Sequence, residues 1–274
     1  MAKRMTRQWT FKKPILMGIV NLTPDSFSDG GMLRDIDTAL RRIDTLISEG
    51  ADWIDVGAES SRPGALPISA EAEIQRLSGL LKAYRKRFDT PLSVDTTKAI
   101  VAAFALDHGA EIINDISALE DPDMAATVAA QNAALIVMHR QGTPQVMQQN
   151  PQYEDVVAEV IGFLAERALR AKNAGISQVL IDPGIGFGKS VHHNVRLLTE
   201  TGKLAQLGYP VVIGTSRKSM IQALTGADVS QRLPGSVASA VMAYAQGASV
   251  FRVHDVAAHR QALDVAQAIR EGRP

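Results

Sequence analysis

The feature that most constrains this chain is a regular alternation of short apolar segments with amphipathic segments. Strands that are buried on both faces read as continuous apolar runs, so each apolar segment predicts a buried parallel strand. There are eight of them, and they end at polar residues or glycine: Ile15–Val20, Trp53–Val56, Leu92–Val94, Glu111–Ile113, Ala134–Met138, Val179–Ile181, Val211–Ile213 and Ser249–Val253.

The segments between these strands have the periodicity of helices. In residues 37–47 the apolar positions fall on one face and the charges on the other. Several predicted helices end in a glycine just before the next strand, as a C-terminal helix cap requires; these are Gly50, Gly109, Gly175, Gly208 and Gly247. Eight such units favour an α/β fold of the (β/α)8 TIM-barrel type. An open doubly wound sheet is the alternative.

Length and composition limit the domain count and the possible partners. A barrel of this kind takes about 250 residues, so we expect residues 1–274 to form a single domain, with residues 1–13 as a short N-terminal extension. The charges of the 29 basic and 29 acidic residues cancel, so we expect the protein to bind neither nucleic acid nor membranes. Cysteine is absent, so disulfides and thiolate chemistry are excluded.

The compartment is also predicted from the sequence. No apolar run reaches the roughly 20 residues of a membrane span, and the basic residues 1–7 are not followed by the apolar core of a signal peptide. We therefore expect a cytoplasmic protein whose partners are small molecules or a second copy of itself.

Polar side chains follow every predicted strand. In a (β/α)8 barrel the carboxyl ends of the strands and the loops after them form the active site. The residues at these positions are Asn21, Glu59, Ser61, Arg62, Asp95, Asn114, Asp115, His139, Asp182, Ser216, Arg217, Lys218, Arg252 and His254.

These polar residues at the carboxyl ends of the strands, called the rim below, are suited to binding a phosphorylated heterocycle. Asp95, Asn114 and Asp182 can make in-plane hydrogen bonds to a flat ring with an amidine-like edge. An aspartate after a strand also commonly caps a helix or makes a turn, and that role stays open for Asp95 taken alone. A phosphate or pyrophosphate would suit the four cationic candidates, which are Arg62, Lys218, Arg252 and His254.

Three apparent motifs do not hold. Residues 182–190 end like a phosphate-binding P-loop, but Pro183 stands where that motif needs glycine. Residues 214–218 resemble a hydrolase nucleophile elbow until Lys218, which replaces its final glycine. His192 and His193 lack further ligands at zinc spacing, so we assign them to the surface.

Several segments carry a resemblance to a known family. Residues 17–31 (MGIVNLTPDSFSDGG) and 57–65 (GAESSRPGA) resemble the two signatures of the dihydropteroate synthases, a family of pterin-binding barrels. The similarity continues in family order over nearly the whole chain, through residues 93–96 (SVDT), 113–116 (INDI), 138–139 (MH), 182–189 (DPGIGFGK), 216–219 (SRKS) and 252–255 (RVHD).

The resemblance implies an activity and its partners. Such an enzyme condenses 6-hydroxymethyl-7,8-dihydropterin pyrophosphate with 4-aminobenzoate, giving 7,8-dihydropteroate and pyrophosphate in folate biosynthesis. It further implies Mg²⁺ as cofactor, a homodimer, and sulfonamides as possible inhibitors. A pterin-dependent methyltransferase barrel and a non-catalytic pterin-binding paralogue are the alternatives.

The resemblance also assigns site residues. The pterin site would consist of Asp95, Asn114, Met138, Asp182, Phe187, Gly214 and Lys218. The pyrophosphate site would consist of Asn21, Ser61, Arg62, Arg252 and His254, with Asn21 also the ligand of Mg²⁺. The aminobenzoate site would consist of Phe27, Ser61, Pro63, Phe187, Lys218 and Ser219. The residues expected to act in catalysis are Asp95, Asp182, Lys218, Arg252 and His254.

The expected mechanism begins with departure of pyrophosphate, followed by attack of the aromatic amine. That amine is unprotonated at neutral pH, so no catalytic base is assigned. The second signature departs from the family pattern at two positions, with Ser61 where threonine is usual and Ala58 where glycine is common. The hydroxyl group survives at Ser61, and the lost methyl group would loosen the packing of the loop.

Overall fold

Eight parallel strands form the sheet of this computed structural model, which describes residues 7–22 and 31–273, with side chains from residue 36 onward in the second range. The strands are β1 (Ile15–Asn21), β2 (Trp53–Gly57), β3 (Leu92–Asp95), β4 (Ile112–Asp115), β5 (Ala134–Met138), β6 (Val179–Asp182), β7 (Val212–Ile213) and β8 (Val250–Val253).

Helices follow the strands around the outside. They are α1 (Gly31–Ser48), α2 (Ala70–Arg87), α3 (Ala99–Asp107), α4 (Met124–Ala130), α5 (Val156–Asn173), α6 (Val191–Thr199), α7 (Thr201–Ala205), α8 (Ser219–Thr225), α9 (Leu233–Ala245) and α10 (Val256–Glu271). The five glycines predicted to cap helices all have positive φ, between 80° and 103°, which confirms that prediction.

The sheet closes into a barrel. Its strand order is β6-β5-β4-β3-β2-β1-β8-β7, and every pair is parallel. The two ends of this order meet, because Ile181 bridges to Val211 and its N–H donates to the carbonyl of Pro210 at 3.0 Å. The predicted (β/α)8 barrel is therefore confirmed, and the open doubly wound sheet is not found.

Strand ends differ from the prediction in an informative way. The structure extends β1, β2, β3 and β6 by one residue, to Asn21, Gly57, Asp95 and Asp182. Strand β4 likewise includes Asn114 and Asp115. Polar residues predicted to follow the strands thus lie on them, where the ladder of backbone hydrogen bonds fixes the direction of each side chain.

The core has two layers. The outer layer packs the strands against the helices and includes Leu16, Ile54 and Leu80. The inner layer fills the lower barrel with Ile15, Met17, Trp53, Ile112, Ala134, Ile136, Leu180, Val212 and Val250. Trp9 and Phe11 cover the amino-terminal end of the barrel, with ring centroids 5.1 and 6.2 Å from that of Trp53. Apolar side chains therefore fill the amino-terminal half of the barrel, and the candidate site lies at its carboxyl end.

Within the described residues, no helix has the length and apolarity that a bilayer crossing demands.

Candidate active site

The inner core layer defines which side chains face into the barrel. Side chains alternate along a strand, so every second residue after an inward apolar one also points inward. Two residues beyond Ile112, Leu180 and Val250 stand Asn114, Asp182 and Arg252. The same step leads to Met138, and to Gly214 just beyond β7. The barrel interior thus changes from apolar to polar toward its carboxyl end.

Strand register places Asp95 beside this polar layer. Asp95 pairs with Asn114 across β3 and β4, and with Gly57 across β2 and β3. A β-carbon built at Gly57 would lie 3.5 Å from Cβ of Asp95 and 3.8 Å from Oδ1 of Asn21. The side chains of Asn21 and Asp95 therefore flank the same glycine, so the structure brings these two predicted residues together.

Arg252 forms an ion-pair network across the barrel. Its Nε donates to Oδ2 of Asp55 at 2.7 Å, and its Nη2 donates to Oδ2 of Asp95 at 3.2 Å. Asp55 is fully buried and was not among the predicted site residues. The signal for it was a single charge inside the apolar segment 53–56, since a buried carboxylate requires a partner.

Burial raises the pKa of both carboxyl groups predicted to line the site. It raises the pKa of Asp95 to about 7, although the Arg252 guanidinium opposes the shift. Burial also raises the pKa of Asp182 to about 6, against the Gly184 N–H, which donates to its Oδ1 at 2.7 Å. Perturbed carboxylates gathered in one cleft are typical of functional sites, because a bound donor or cation relieves the cost of their burial.

Lys218 and Phe187 lie against each other. The Lys218 ammonium stands 4.1 Å from the centroid of the Phe187 ring, a cation–π contact. A β-carbon at Gly186 would come within 3.2 Å of Cδ of Lys218, so the lysine lies close along the loop backbone. Burial, and then Arg252, lower the pKa of Lys218 to about 8. These contacts join two predicted residues into one wall of the site.

His254 is held in one orientation by Ser216. The Ser216 hydroxyl accepts from the backbone N–H of His254 at 3.1 Å and lies 3.0 Å from its Nδ1. We assign the tautomer in which the Ser216 hydroxyl donates to Nδ1 and the ring carries its proton on Nε2. Burial and the neighbouring Arg252 lower the pKa of His254 to about 3, so the ring is neutral, and in this tautomer its Nε2–H is a donor.

Other rim residues have structural partners. The carboxylate of Asp115 accepts from the backbone N–H groups of Ser117 and Leu119, at 2.9 and 2.7 Å, so it holds a turn. Arg217 pairs with Asp255, and Glu59 pairs with Lys98. Nδ1 of His139 lies 2.9 Å from the amine of Lys189. Each of these rim residues therefore has a protein partner in the structure.

The adjacent histidines follow the prediction in part. His192 is exposed as expected. His193 is partly buried, and it closes a capping box with Ser190 at the start of α6. Its role is local to that helix.

Other residues predicted to bind the substrates lie at the protein surface. Arg62, Pro63 and Ser219 are exposed, and Ser61 is partly buried. Phe27 lies outside the described residues. The loop after β2 is tied to the loop after β5, since the Gly64 N–H donates to the carbonyl of Pro144 at 2.9 Å. These side chains therefore stand above the buried cluster.

A cavity of about 210 Å³ opens beside the cluster. Its lining shares Ser61 and Asp95 with the predicted site, and adds residues of the β3 and β5 loops, including Thr96, Arg140 and Thr143. None of the residues Asn114, Asp182 and Lys218 lines it. The cavity thus adjoins one side of the cluster.

The described residues contain no group of three or more histidine, cysteine, aspartate or glutamate side chains arranged to hold a metal. Mg²⁺ commonly keeps several waters and binds through one or two protein oxygens plus substrate phosphates. A single amide oxygen beside the site, such as Oδ1 of Asn21, therefore fits an ion that arrives with a phosphorylated substrate.

Comparison with known proteins gives consistent matches. A family model described as "Pterin binding enzyme" matches residues 17–254. The dihydropteroate synthase of Haemophilus influenzae is 46% identical over 257 residues, covering 93% of this chain and 94% of that protein. A Yersinia pestis dihydropteroate synthase, solved with a sulfonamide drug complex, superposes with a TM-score of 0.90 at 41% identity, and 96% of each chain is covered. The Xanthomonas albilineans dihydropteroate synthase with 4-aminobenzoic acid also gives 0.90, at 45% identity over 96% of this chain and 95% of that one.

Proposed function

The chain belongs to the pterin-binding enzymes, among the dihydropteroate synthases, and we propose that it condenses 6-hydroxymethyl-7,8-dihydropterin pyrophosphate with 4-aminobenzoate. The products are 7,8-dihydropteroate and pyrophosphate, and the enzyme is a transferase of folate biosynthesis. The relatives are synthases, which favours this activity over a methyltransferase barrel.

The inward cluster of Asp95, Asn114 and Asp182 carries the proposal. A pterin edge offers ring and exocyclic N–H donors beside a carbonyl oxygen. Buried carboxylates accept from such donors, an amide can both donate and accept, and the Lys218 ammonium donates to the ring acceptors. Met138, Phe187 and Gly214 would complete the pocket around the flat ring. Donors and acceptors of both kinds thus face one small volume at the carboxyl end of the barrel.

Pyrophosphate departure is the first step in this mechanism. The bond between the pterin methylene carbon and the pyrophosphate oxygen breaks, and its electron pair leaves with the oxygen. Arg252 and the Nε2–H of His254 would stabilise the growing negative charge, together with Ser61 and Arg62 of the loop above. A preorganised donor of this kind typically lowers the activation barrier by about 3–4 kcal/mol. Asp95 and Asp182 would stabilise the positive charge left on the pterin.

The second step forms the carbon–nitrogen bond. The lone pair of the aminobenzoate amine attacks the methylene carbon, and the nitrogen then releases a proton to solvent or to pyrophosphate. The amine is already neutral at pH 7, so no side chain has to act as base. The aminobenzoate would lie against Phe187 and Lys218, below Ser61, Pro63 and Ser219, with Phe27 outside the described residues. Sulfonamides would compete at this position.

Mg²⁺ is the proposed cofactor, with Asn21 as its protein ligand. The ion would supply further positive charge to the pyrophosphate. The proximity of Asn21 and Asp95 across Gly57 supports this assignment, because it brings the amide oxygen to the mouth of the site.

A homodimer and a cytoplasmic location are also proposed. Adjacent helices α9 and α10 carry large apolar side chains that are well exposed, with Met242 at 63%, Val265 at 56% and Ile269 at 76%. Exposed apolar surface of this kind favours association with another protein surface, here a second copy. Light scattering should give twice the chain mass, and Met242→Glu should shift it toward the monomer.

Product formation tests the proposed activity. Purified protein with both substrates and Mg²⁺ should yield dihydropteroate, identified by mass, and one pyrophosphate for each product molecule. Pterin binding without product would indicate a non-catalytic paralogue. Failure to bind any pterin would refute the proposed function.

A further inference from the structure

Lys189 is a buried amine that the proposed chemistry does not use. Only 3% of the residue is exposed. Its Nζ donates to the carbonyls of Gly184 and Phe187 at 3.0 Å each, and to the carbonyl of His139 at 3.2 Å. Nδ1 of His139 lies 2.9 Å away. This lysine occupies the lysine position of the rejected P-loop motif, but its amine donates to protein carbonyls rather than to a phosphate.

The acceptors join two loops. Gly184 and Phe187 belong to the loop between β6 and α6, and His139 follows β5. The loops meet closely, since a β-carbon at Gly184 would lie 1.9 Å from the His139 carbonyl oxygen. One at Gly188 would lie 2.3 Å from the carbonyl oxygen of Gln141. Lys189 therefore bonds the two loops at the place where their backbones pack together.

The same loop orients three residues of the proposed site. Its Gly184 N–H holds Oδ1 of Asp182. Its Phe187 ring supports the Lys218 ammonium. A change in the path of residues 183–189 would therefore move the carboxylate and the lysine of the site together.

The groups that face Lys189 are hydrogen-bond acceptors for its amine. Burial, and then the charge of Lys189, lower the pKa of His139 to about 3, so this ring is a neutral acceptor. The negative charge of Asp182 counters the burial that lowers the pKa of Lys189 to about 7. An amine that donates to carbonyls of both loops holds them more firmly than an apolar side chain does, because an apolar side chain would remove the donor to the carbonyls of His139 and Phe187.

We propose that Lys189 is a positioning residue, which locks the β6–α6 loop in the conformation that presents Asp182, Phe187 and Lys218 to the pterin. This inference rests on the proposed function. A structural role without positioning would lower the folded fraction and leave substrate affinity unchanged in the molecules that fold. A positioning role instead changes affinity and KM in the folded protein.

The test compares Lys189→Met with the wild type and with Lys203→Met, which removes an exposed lysine on α7. Binding of 6-hydroxymethylpterin is measured by calorimetry, and KM and kcat are measured for both substrates. Misplacing a site by about 1 Å can cost roughly 10²-fold, so Lys189→Met should raise the pterin Kd and KM by about 10- to 100-fold. Lys203→Met should stay within about twofold of the wild type.

A second variant covers the case in which methionine prevents folding. Lys189→Gln keeps donors for the Gly184 and Phe187 carbonyls and should give a smaller rise in the pterin Kd. Wild-type pterin affinity in folded Lys189→Met, or in Lys189→Gln where Lys189→Met does not fold, would overturn the inference. Wild-type protein that binds no pterin would instead refute the proposed function, so the two failures are distinguishable.

Discussion

Replacing Asp55 by asparagine tests the ion pair at the centre of the barrel. The substitution keeps the volume of a fully buried side chain and removes the charge that Arg252 contacts at 2.7 Å. Breaking a buried ion pair by removing one partner costs about 3–5 kcal/mol. Arg252 retains Asp95 at 3.2 Å and its side chain is 21% exposed, so we place the loss near the lower end, at about 3 kcal/mol.

That loss is large enough to measure by thermal unfolding. Proteins of comparable size lose about 2–4 °C in Tm for each kcal/mol, so Asp55→Asn should lower Tm by roughly 6–12 °C. The matched control is Asp264→Asn, which removes a carboxylate that is 57% exposed and 3.4 Å from Arg260. An exposed pair contributes at most about 1 kcal/mol. A Tm of Asp55→Asn within about 2 °C of the control would refute the structural role assigned to this pair.

Three further predictions concern the site and its supporting loop. The pKa of Asp182 is raised to about 6, so its accepting anion is present above that pH and lost below it. Asp182→Asn should weaken binding of 6-hydroxymethylpterin by roughly 10- to 100-fold at pH 8, and calorimetry should show the gap to the wild type narrowing below about pH 6; a constant gap would contradict the assignment. Gly184→Ala places a β-carbon 1.9 Å from the His139 carbonyl oxygen at a φ of 66°, so urea unfolding should show a loss of about 3 kcal/mol or more. Gly175→Ala, at positive φ but in open space, should cost only about 1–2 kcal/mol, and equal losses would disprove the clash. Asn21→Ala should raise the Mg²⁺ concentration for half-maximal turnover at least about tenfold, because even residues that only orient a metal ligand change affinity by about 10- to 100-fold; an unchanged requirement would exclude Asn21 as the ligand.

Local patterns in the sequence predicted most of the fold. Continuous apolar segments located the eight strands because the sheet is buried on both faces. The glycines before five strands were recognisable because a left-handed helix cap favours that residue. Strand ends were placed one residue short at Asp95 and Asp182, since polarity suggested a loop there. Both residues remain in the ladder, and their side chains face the barrel interior.

Long-range partners were beyond sequence reasoning. Asp55 and Arg252 are 197 residues apart, and only the closed barrel brings them together. Similarly, Lys189 donates to the carbonyl of His139, which follows β5 and lies 50 residues earlier in the chain. The cap-or-turn role left open for Asp95 belongs instead to Asp115, whose carboxylate holds the turn after β4. Such roles depend on which group each side chain meets in the folded barrel, and the sequence alone does not show that.

A crystal structure of the protein with 6-hydroxymethylpterin bound tests whether the pterin occupies the carboxyl end of the barrel. We expect the ring inside the barrel mouth, with its N–H edge on Asp182 and Asn114 and the Lys218 ammonium on a ring acceptor. A ring seated in the neighbouring cavity of about 210 Å³, against Thr96 and Arg140, would contradict the assignment of the site.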